Sequence, residues 1–202
     1  MVFRQSIIAA GFLATSGILS GPALGQDSGL YGEAIPADAV FVRWLEGSTP
    51  LERSAFGYDF SDENIPANTY AAVSAELLPD VSIGGYYSVV LGASGTPLLV
   101  KEPERGDQTK VHMILVNGGA TPVTLNIAGG GAEVISLTSQ SEASSRAVNP
   151  VSASLEVRPE GSDLAIAQFE VALRRGQNMT FAVLDGDVIL VPSAFGPVVK
   201  AE

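Results

Sequence analysis

Short apolar runs separated by Gly, Pro, Ser and Asp recur along the chain from Ala39 to Val191. Runs this short and this rich in Val and Ile are typical of β-strands. In the first half, the pattern predicts a weak strand within residues 47–66 and strands at residues 39–45, 86–91 and 97–101. Residues 69–77 could form a strand or a short helix, and we predict a strand because the segment between Pro66 and Pro79 is too short for a stable helix. In the second half, it predicts strands at residues 110–116, 122–128, 133–137, 151–158, 166–173, 180–184 and 188–191. The chain is therefore predicted to be all-β.

Turn residues indicate how these strands connect. Gly92-Ala93-Ser94-Gly95 lies between two predicted strands and predicts a hairpin, and Asp185-Gly186 predicts another. Residues 102–108 are polar and contain Pro and Gly, which favours a boundary between domains. The predicted fold is therefore two small antiparallel β-sandwich domains, residues 26–104 and 105–202. A single fused sandwich is the alternative.

The N-terminus has the three-part pattern of a secretory signal peptide. Arg4 supplies a positive charge, the residues from Ser6 to Leu19 are almost wholly apolar or small, and Ala23-Leu24-Gly25 places small residues before Gln26. The apolar stretch is shorter than the roughly 20 residues that a membrane-spanning helix needs. We therefore expect residues 1–25 to be cleaved during export from the cytoplasm, and we expect the mature protein to work in the periplasm.

Composition narrows the possible functions. Hydrophobic residues make up 46% of the chain, which is enough to build a core. The chain has no Cys, which excludes disulfides, thiol nucleophiles and Cys-ligated metals. The net charge is −11, and removal of residues 1–25 takes away one Arg and no acid, which makes it −12. Such a charge argues against binding to nucleic acid.

The sequence offers little catalytic chemistry. His112 is the only histidine, and strand alternation places it on one face with Ile114 and Val116. A hydrolase would need this His exposed beside a nucleophile and an acid, and the G-x-S-x-G motif is absent. The acids at positions 59, 62 and 63 do not have the spacing of a calcium-binding loop and are interpreted as a solvated loop. We predict no catalytic residue, no metal and no cofactor.

Six short blocks follow one another along the chain. They are Leu30-Tyr31-Gly32 followed by Pro36, Phe41-Val42-Arg43, the run from Tyr86 to Val90, the run from Leu98 to Pro103, Lys110 with the strand that ends at Val116-Asn117, and the run from Arg146 to Val151. Each block is weak by itself, but their joint order and spacing cover most of the mature chain. Through these blocks the chain resembles the AlgF family, the periplasmic accessory proteins of alginate O-acetylation.

The resemblance implies a place in a polymer-acetylating assembly. In that system a membrane-bound O-acyltransferase passes acetyl groups outward, and periplasmic acetyltransferases modify the polymer. Members of the family look like adaptors and not catalysts. The function implied is a non-catalytic periplasmic adaptor that contacts the acetyltransferase machinery.

Six residues are the candidates for partner recognition: Tyr31, Arg43, Lys101, Glu102, Asn149 and Pro150. The alternative is that they fix the backbone. Arg43 would then form a structural ion pair, and Asn149-Pro150 would hold an extended start of the next strand, because a residue before Pro is biased away from helix.

A carbohydrate-binding module that holds alginate is the alternative function. Alginate is a polyanion, so a charge near −12 repels it unless basic residues are grouped. Arg158 with Arg174-Arg175, or Lys101 with Arg105 and Lys110, are the candidate groups. Exposed aromatic residues across one sheet would favour this alternative.

Overall fold

The structure is a computed structural model and describes residues 34–47, 52–61, 64–92, 94–184 and 187–201. The expected signal peptide, Tyr31, two of the three clustered acids (positions 62 and 63) and Asp185-Gly186 lie outside the described residues. The described residues form β-strands and no helix. The predicted all-β class is therefore confirmed.

The strands are β1 (Ala39–Trp44), β2 (Ser54–Ala55), β3 (Tyr58–Asp59), β4 (Tyr70–Ser74), β5 (Tyr86–Leu91), β6 (Pro97–Lys101), β7 (Val111–Asn117), β8 (Val123–Ile127), β9 (Glu133–Thr138), β10 (Glu142–Val148), β11 (Ser152–Pro159), β12 (Ala167–Ala172), β13 (Met179–Leu184), β14 (Asp187–Pro192) and β15 (Phe195–Val198).

Three sheets and one small hairpin account for these strands. The N-terminal sheet has the order β15-β4-β1-β5-β6, the central sheet β10-β7-β13-β14 and the outer sheet β12-β11-β8-β9, while β2 and β3 pair only with each other. Pairing is antiparallel throughout the outer sheet. The other two sheets are mixed, because β1 runs parallel to β5, β13 to β7 and β15 to β4. The prediction of antiparallel sheets is thus wrong for these three pairs, whose partners are joined by long connections and not by tight turns.

Two strands were not predicted from the sequence. β10 has the sequence EASSRAV and no apolar alternation, yet it pairs with β7 along its whole length as an edge strand of the central sheet. β15 contains Gly196 and Pro197 and forms the edge of the N-terminal sheet. Both strands lack the Val- and Ile-rich runs by which the other strands were predicted.

The faces of the sheets build three apolar cores. One face of the N-terminal sheet packs with the β2–β3 hairpin around Trp44, Tyr58 and Phe60. The central and outer sheets enclose a second core, which contains Val111, Met113 and Leu115, as the alternation in this strand predicted. The opposite face of the central sheet shares a third core with the N-terminal sheet.

The third core lies between strands of the two halves of the chain. Val90 and Val100 of the N-terminal sheet meet Ile114 and Ala182 of the central sheet there. The last strand, β15, also returns to pair with β4. The boundary placed at residues 104–105, and the division into two sandwiches, stay predictions.

Candidate functional site

The predicted partner-binding residues fall into two groups. Arg43 and Glu102 are buried, and their side chains form an ion pair in which Arg43 Nη2 lies 2.8 Å from Glu102 Oε1. Lys101, Asn149 and Pro150 are exposed; Lys101 is the neighbour of Glu102 in the chain, and Asn149-Pro150 lies 47 positions further on. Arg43 forms the ion pair that the sequence left open as its alternative, and its part in partner recognition stays a prediction.

The exposed candidates make local contacts. Lys101 Nζ is 3.4 Å from Ser82 Oγ, and Asn149 Oδ1 accepts a hydrogen bond of 2.7 Å from Lys110 Nζ. Asn149-Pro150 connects β10 of the central sheet to β11 of the outer sheet. A role of these residues in partner recognition stays a prediction.

The Arg43–Glu102 pair is the centre of a larger polar network. Strand register brings its parts together, because Arg43 of β1 lies beside Ser88 of β5 on the same face of the sheet. Arg43 Nε donates to Ser88 Oγ over 3.0 Å, and Ser88 Oγ donates to Glu102 Oε1 over 2.6 Å. Glu102 directly follows β6. Its backbone N–H donates to the carbonyl oxygen of Tyr86, and this bond holds Glu102 next to β5.

Two further residues close the network around the carboxylate. The Tyr70 hydroxyl lies 2.8 and 2.7 Å from the two oxygens of Glu102, and Arg105 Nη2 is 2.7 Å from Oε2. Arg105 also donates to the Tyr70 hydroxyl. Both carboxylate oxygens are thus occupied by strong donors, as a buried charge requires. We call Arg43, Tyr70, Ser88, Glu102, Arg105 and Thr180 the polar network.

Thr180 connects this network to the central sheet. Arg43 Nη2 donates to Thr180 Oγ1 over 2.7 Å, although the two residues are 137 positions apart in the chain. Thr180 is fully buried on β13, on the face that packs against the N-terminal sheet. The network therefore links two sheets by a hydrogen bond that no solvent reaches.

The charges of the network are held in place by their neighbours. Burial alone would raise the pKa of Glu102, but the guanidinium of Arg43, the hydroxyls of Ser88 and Tyr70, and Arg105 together lower it below the ordinary carboxyl value. Burial raises the pKa of the Tyr70 hydroxyl, and the nearby carboxylate raises it further against the pull of the guanidinium groups. Burial would lower the pKa of Arg105, yet Tyr70 and Glu102 raise it. Glu102 therefore stays ionised and Tyr70 protonated at neutral pH, so neither is available to exchange protons with a substrate.

Four aromatic rings lie at one end of this network and form what we call the ring cluster: Phe41, Tyr70, Tyr86 and Phe195. Phe41 and Tyr86 stack with centroids 5.3 Å apart, and Phe195 meets both of them edge to face. Phe195 also stacks on Tyr70 at 5.4 Å. The Arg105 guanidinium carbon lies 4.1 Å from the Tyr86 ring centre, a cation–π distance. Phe195 is 57% exposed, whereas Tyr70 is fully buried.

His112 is enclosed by the fold. The residue is 6% exposed, and its Nε2 lies 2.9 Å from the carbonyl oxygen of Asp107. The histidine is thus packed inside the fold and not exposed as a hydrolase would need. Within the described ranges, no group of three or more His, Asp or Glu side chains is arranged to hold a metal ion. The described part of the chain also has no helix with the length and hydropathy of a membrane span.

Sequence reasoning named Arg43 and Glu102 as recognition candidates and Arg105 as part of a basic group, and it missed the other three members of the polar network. Arg43 stands out because it lies in an apolar run, where a charge needs a buried partner. Tyr70, Ser88 and Thr180 carry no such signal, since each is an ordinary strand residue. Of the basic groups considered for alginate, Arg105 is committed to the network, and Arg158 forms an ion pair with Glu156.

The fold and the polar network define an all-β protein in which a buried cluster of charged and polar side chains connects two of the sheets. Curated proteins named alginate biosynthesis protein AlgF are similar to it. The protein of Pseudomonas syringae pv. tomato is 29% identical over 194 residues, which cover 87% of this chain and 82% of that protein. The protein of Azotobacter vinelandii is 31% identical over 147 residues, which cover 64% and 65% of the two chains.

The chain is similar to the AlgF proteins over most of its length, and the resemblance seen in its sequence is confirmed. This homology indicates involvement in alginate biosynthesis, and the names of the relatives indicate no catalytic activity. A solved structure of the C-terminal domain of AlgF from P. aeruginosa matches with 24% identity and a TM-score of 0.34, covering 42% of this chain and 97% of that domain. No established protein-family profile matches the chain.

Proposed function

We propose that this protein is a non-catalytic periplasmic adaptor in the O-acetylation of alginate, and that it contacts the acetyltransferase machinery. The observation that carries the proposal is the similarity to AlgF over 87% of the chain. Its partners are the periplasmic acetyltransferases and the membrane-bound O-acyltransferase of the alginate system.

The chemistry of the described residues supports a non-catalytic role. The one histidine is buried against a backbone carbonyl, and the Glu102 carboxylate is saturated by Arg43, Arg105, Tyr70 and Ser88. A general acid or base must reach a substrate and exchange a proton with it, which neither group is placed to do. The polar network instead connects the N-terminal sheet to the central sheet. A scaffold for partner proteins needs its sheets held in one arrangement.

A binding experiment with purified components tests the proposal. The mature protein, residues 26–202, is immobilised and mixed with each purified periplasmic acetyltransferase of the same host, with and without alginate. We expect the acetyltransferase to be retained without polymer. Retention of polymer alone, lost at raised salt, would contradict the adaptor function.

A genetic experiment tests the pathway and the compartment together. Deletion of the gene is expected to leave alginate that is secreted but lacks acetyl groups, and the chain with its signal peptide is expected to restore them. N-terminal sequencing of the periplasmic protein is expected to begin at Gln26. A strain that still acetylates alginate without the gene would contradict the proposal.

Carbohydrate binding is the second candidate, and the half-exposed ring cluster is the observation that favours it. Aromatic faces stack on sugar rings, and a guanidinium can pair with a uronate carboxylate. Against it, Phe41 and Tyr86 turn their faces towards each other, and Phe195 packs edge-on against both. Little flat aromatic surface is left for a sugar to cover.

A further inference from the structure

The ring cluster presents a rigid apolar surface in the described structure. Phe195 is 57% exposed at the sheet edge, and Phe41 and Tyr86 are half-buried beside it. The three rings touch one another, with centroid distances of 5.3, 5.8 and 6.2 Å. Rings fixed by mutual packing lose little conformational freedom on binding, which is a property of interface anchors.

A positive charge lies directly beneath this surface. Two guanidinium groups, Arg43 and Arg105, face the single carboxylate of Glu102, so the network carries one excess positive charge. The Arg105 guanidinium carbon lies 4.1 Å from the ring centre of Tyr86. The side chains of Arg43 and Arg105 are only 0% and 8% exposed. The chain as a whole has a net charge of −11. The ring cluster therefore lies next to one buried excess positive charge on an acidic protein.

These features select the kind of partner. A complementary surface offers an apolar side chain to Phe195 and a nearby carboxylate that the buried excess positive charge attracts. Interfaces between proteins are enriched in Tyr, Phe and Arg in this arrangement. A sugar polymer needs open ring faces, which this cluster does not offer. A second copy of the chain is disfavoured because both copies are strongly acidic.

We propose that the ring cluster is the surface on which a periplasmic acetyltransferase docks, through a segment that places an acidic residue beside an apolar one. This inference rests on the adaptor function proposed above and names the surface that performs it. Phe195 is the anchor, Tyr86 and Phe41 are its support, and Arg105 supplies the electrostatic preference.

Site-specific crosslinking in the native host tests the surface. A photo-crosslinking phenylalanine analogue replaces Phe195 in one strain and Leu164 in another. Leu164 is a matched control because it is apolar and 79% exposed, and it lies between β11 and β12 at the outer sheet. We expect an adduct with an acetyltransferase from position 195 and none from position 164.

Binding of purified variants gives a second measurement. Phe195→Ala is expected to weaken binding of the full-length mature protein to the acetyltransferase by at least about tenfold, the scale of an interface hot spot. Leu164→Ala is expected to bind like the wild type. A urea unfolding curve checks that each variant is folded. Tyr86→Ala is a second variant that changes the same surface.

The outcomes separate this inference from the function on which it rests. If the wild-type protein binds the acetyltransferase and both ring variants bind equally well, the surface is wrong and the adaptor function stands. If the wild type binds no acetyltransferase, the adaptor function itself fails and the inference with it. Two other results would also overturn the inference. One is a crosslinked adduct between two copies of the chain. The other is that the ring variants lose binding to alginate oligosaccharides but keep their binding to the acetyltransferase.

Discussion

Arg43 and Glu102 form an ion pair of 2.8 Å inside the protein, and neither side chain is exposed. The two residues come from β1 and from the segment after β6, which are 59 positions apart. The pair lies where the N-terminal sheet meets the central sheet, and Thr180 of β13 binds the same guanidinium. Two residues predicted as recognition candidates from the sequence thus form a buried link between two sheets in the structure.

Removal of the Glu102 carboxylate is expected to be strongly destabilising. Glu102→Ala leaves two guanidinium groups buried without a counter-charge, which costs about 3–5 kcal/mol in the free energy of unfolding. Lys101→Ala is the matched control, because Lys101 is the adjacent residue and is exposed. Its effect is expected to stay within about 0.5 kcal/mol. Urea unfolding measures both, and equal stability of the two variants would contradict the role of the network.

Thr180 is expected to contribute one hydrogen bond between sheets. Thr180→Val keeps the shape of the side chain but removes the acceptor of Arg43 Nη2, which leaves a buried donor unpaired. We expect a loss of about 1–3 kcal/mol. Thr96→Val changes the same groups on an exposed residue and is expected to be nearly neutral. A Thr180 variant as stable as the Thr96 variant would show that the link between sheets contributes nothing.

Much of the fold follows from local sequence patterns. β5 and β6 lie at the residues that the pattern predicted, because each is a short Val- or Leu-containing run bounded by turn residues, and they pair as the predicted hairpin. β10 and β15 did not follow, because β10 (EASSRAV) has no apolar alternation and β15 contains Gly196 and Pro197, so each is recognised only through its pairing with a neighbouring strand. The parallel pairing of β1 with β5 could not be predicted either, because no local sequence signal determines the order of strands in a sheet.

The site was predictable only in part for a similar reason. Arg43 and Glu102 were among the predicted site residues, but the sequence does not show which side chains they contact. Phe195 and Phe41 are 154 positions apart in sequence, yet their rings lie 5.8 Å apart, because β15 pairs with β4 at the edge of the first sheet. Tertiary contacts of this kind leave no periodicity in the chain.

Low pH is expected to reduce the free energy of unfolding through protonation of Glu102. Burial opposes ionisation, but Arg43, Ser88, Tyr70 and Arg105 lower the pKa of this carboxyl in the folded state below its ordinary value of 4.5. A lowered folded-state pKa means that the carboxylate stabilises the fold above the ordinary value and that this contribution is lost as the pH falls through the lowered pKa. Glu102→Gln removes this dependence, since an amide does not titrate. Urea unfolding at pH 7, 5, 4 and 3 should therefore show a smaller acid-induced loss in the Gln variant than in the wild type, and parallel losses would contradict the assignment.

The C-terminal strand should be needed to complete the N-terminal sheet. Phe195 pairs with Tyr70 on β4, and the buried side chain of Val199 belongs to the core that contains Trp44. A chain that ends at residue 193 exposes the backbone edge of β4 and removes both side chains, so we expect a lower unfolding midpoint and increased aggregation. A chain that ends at Val199 keeps β15 and its core contact, and it is the matched control. Thermal unfolding with light scattering compares the two, and a chain ending at 193 that unfolds and scatters like the control would show that β15 lies on the sheet without stabilising it.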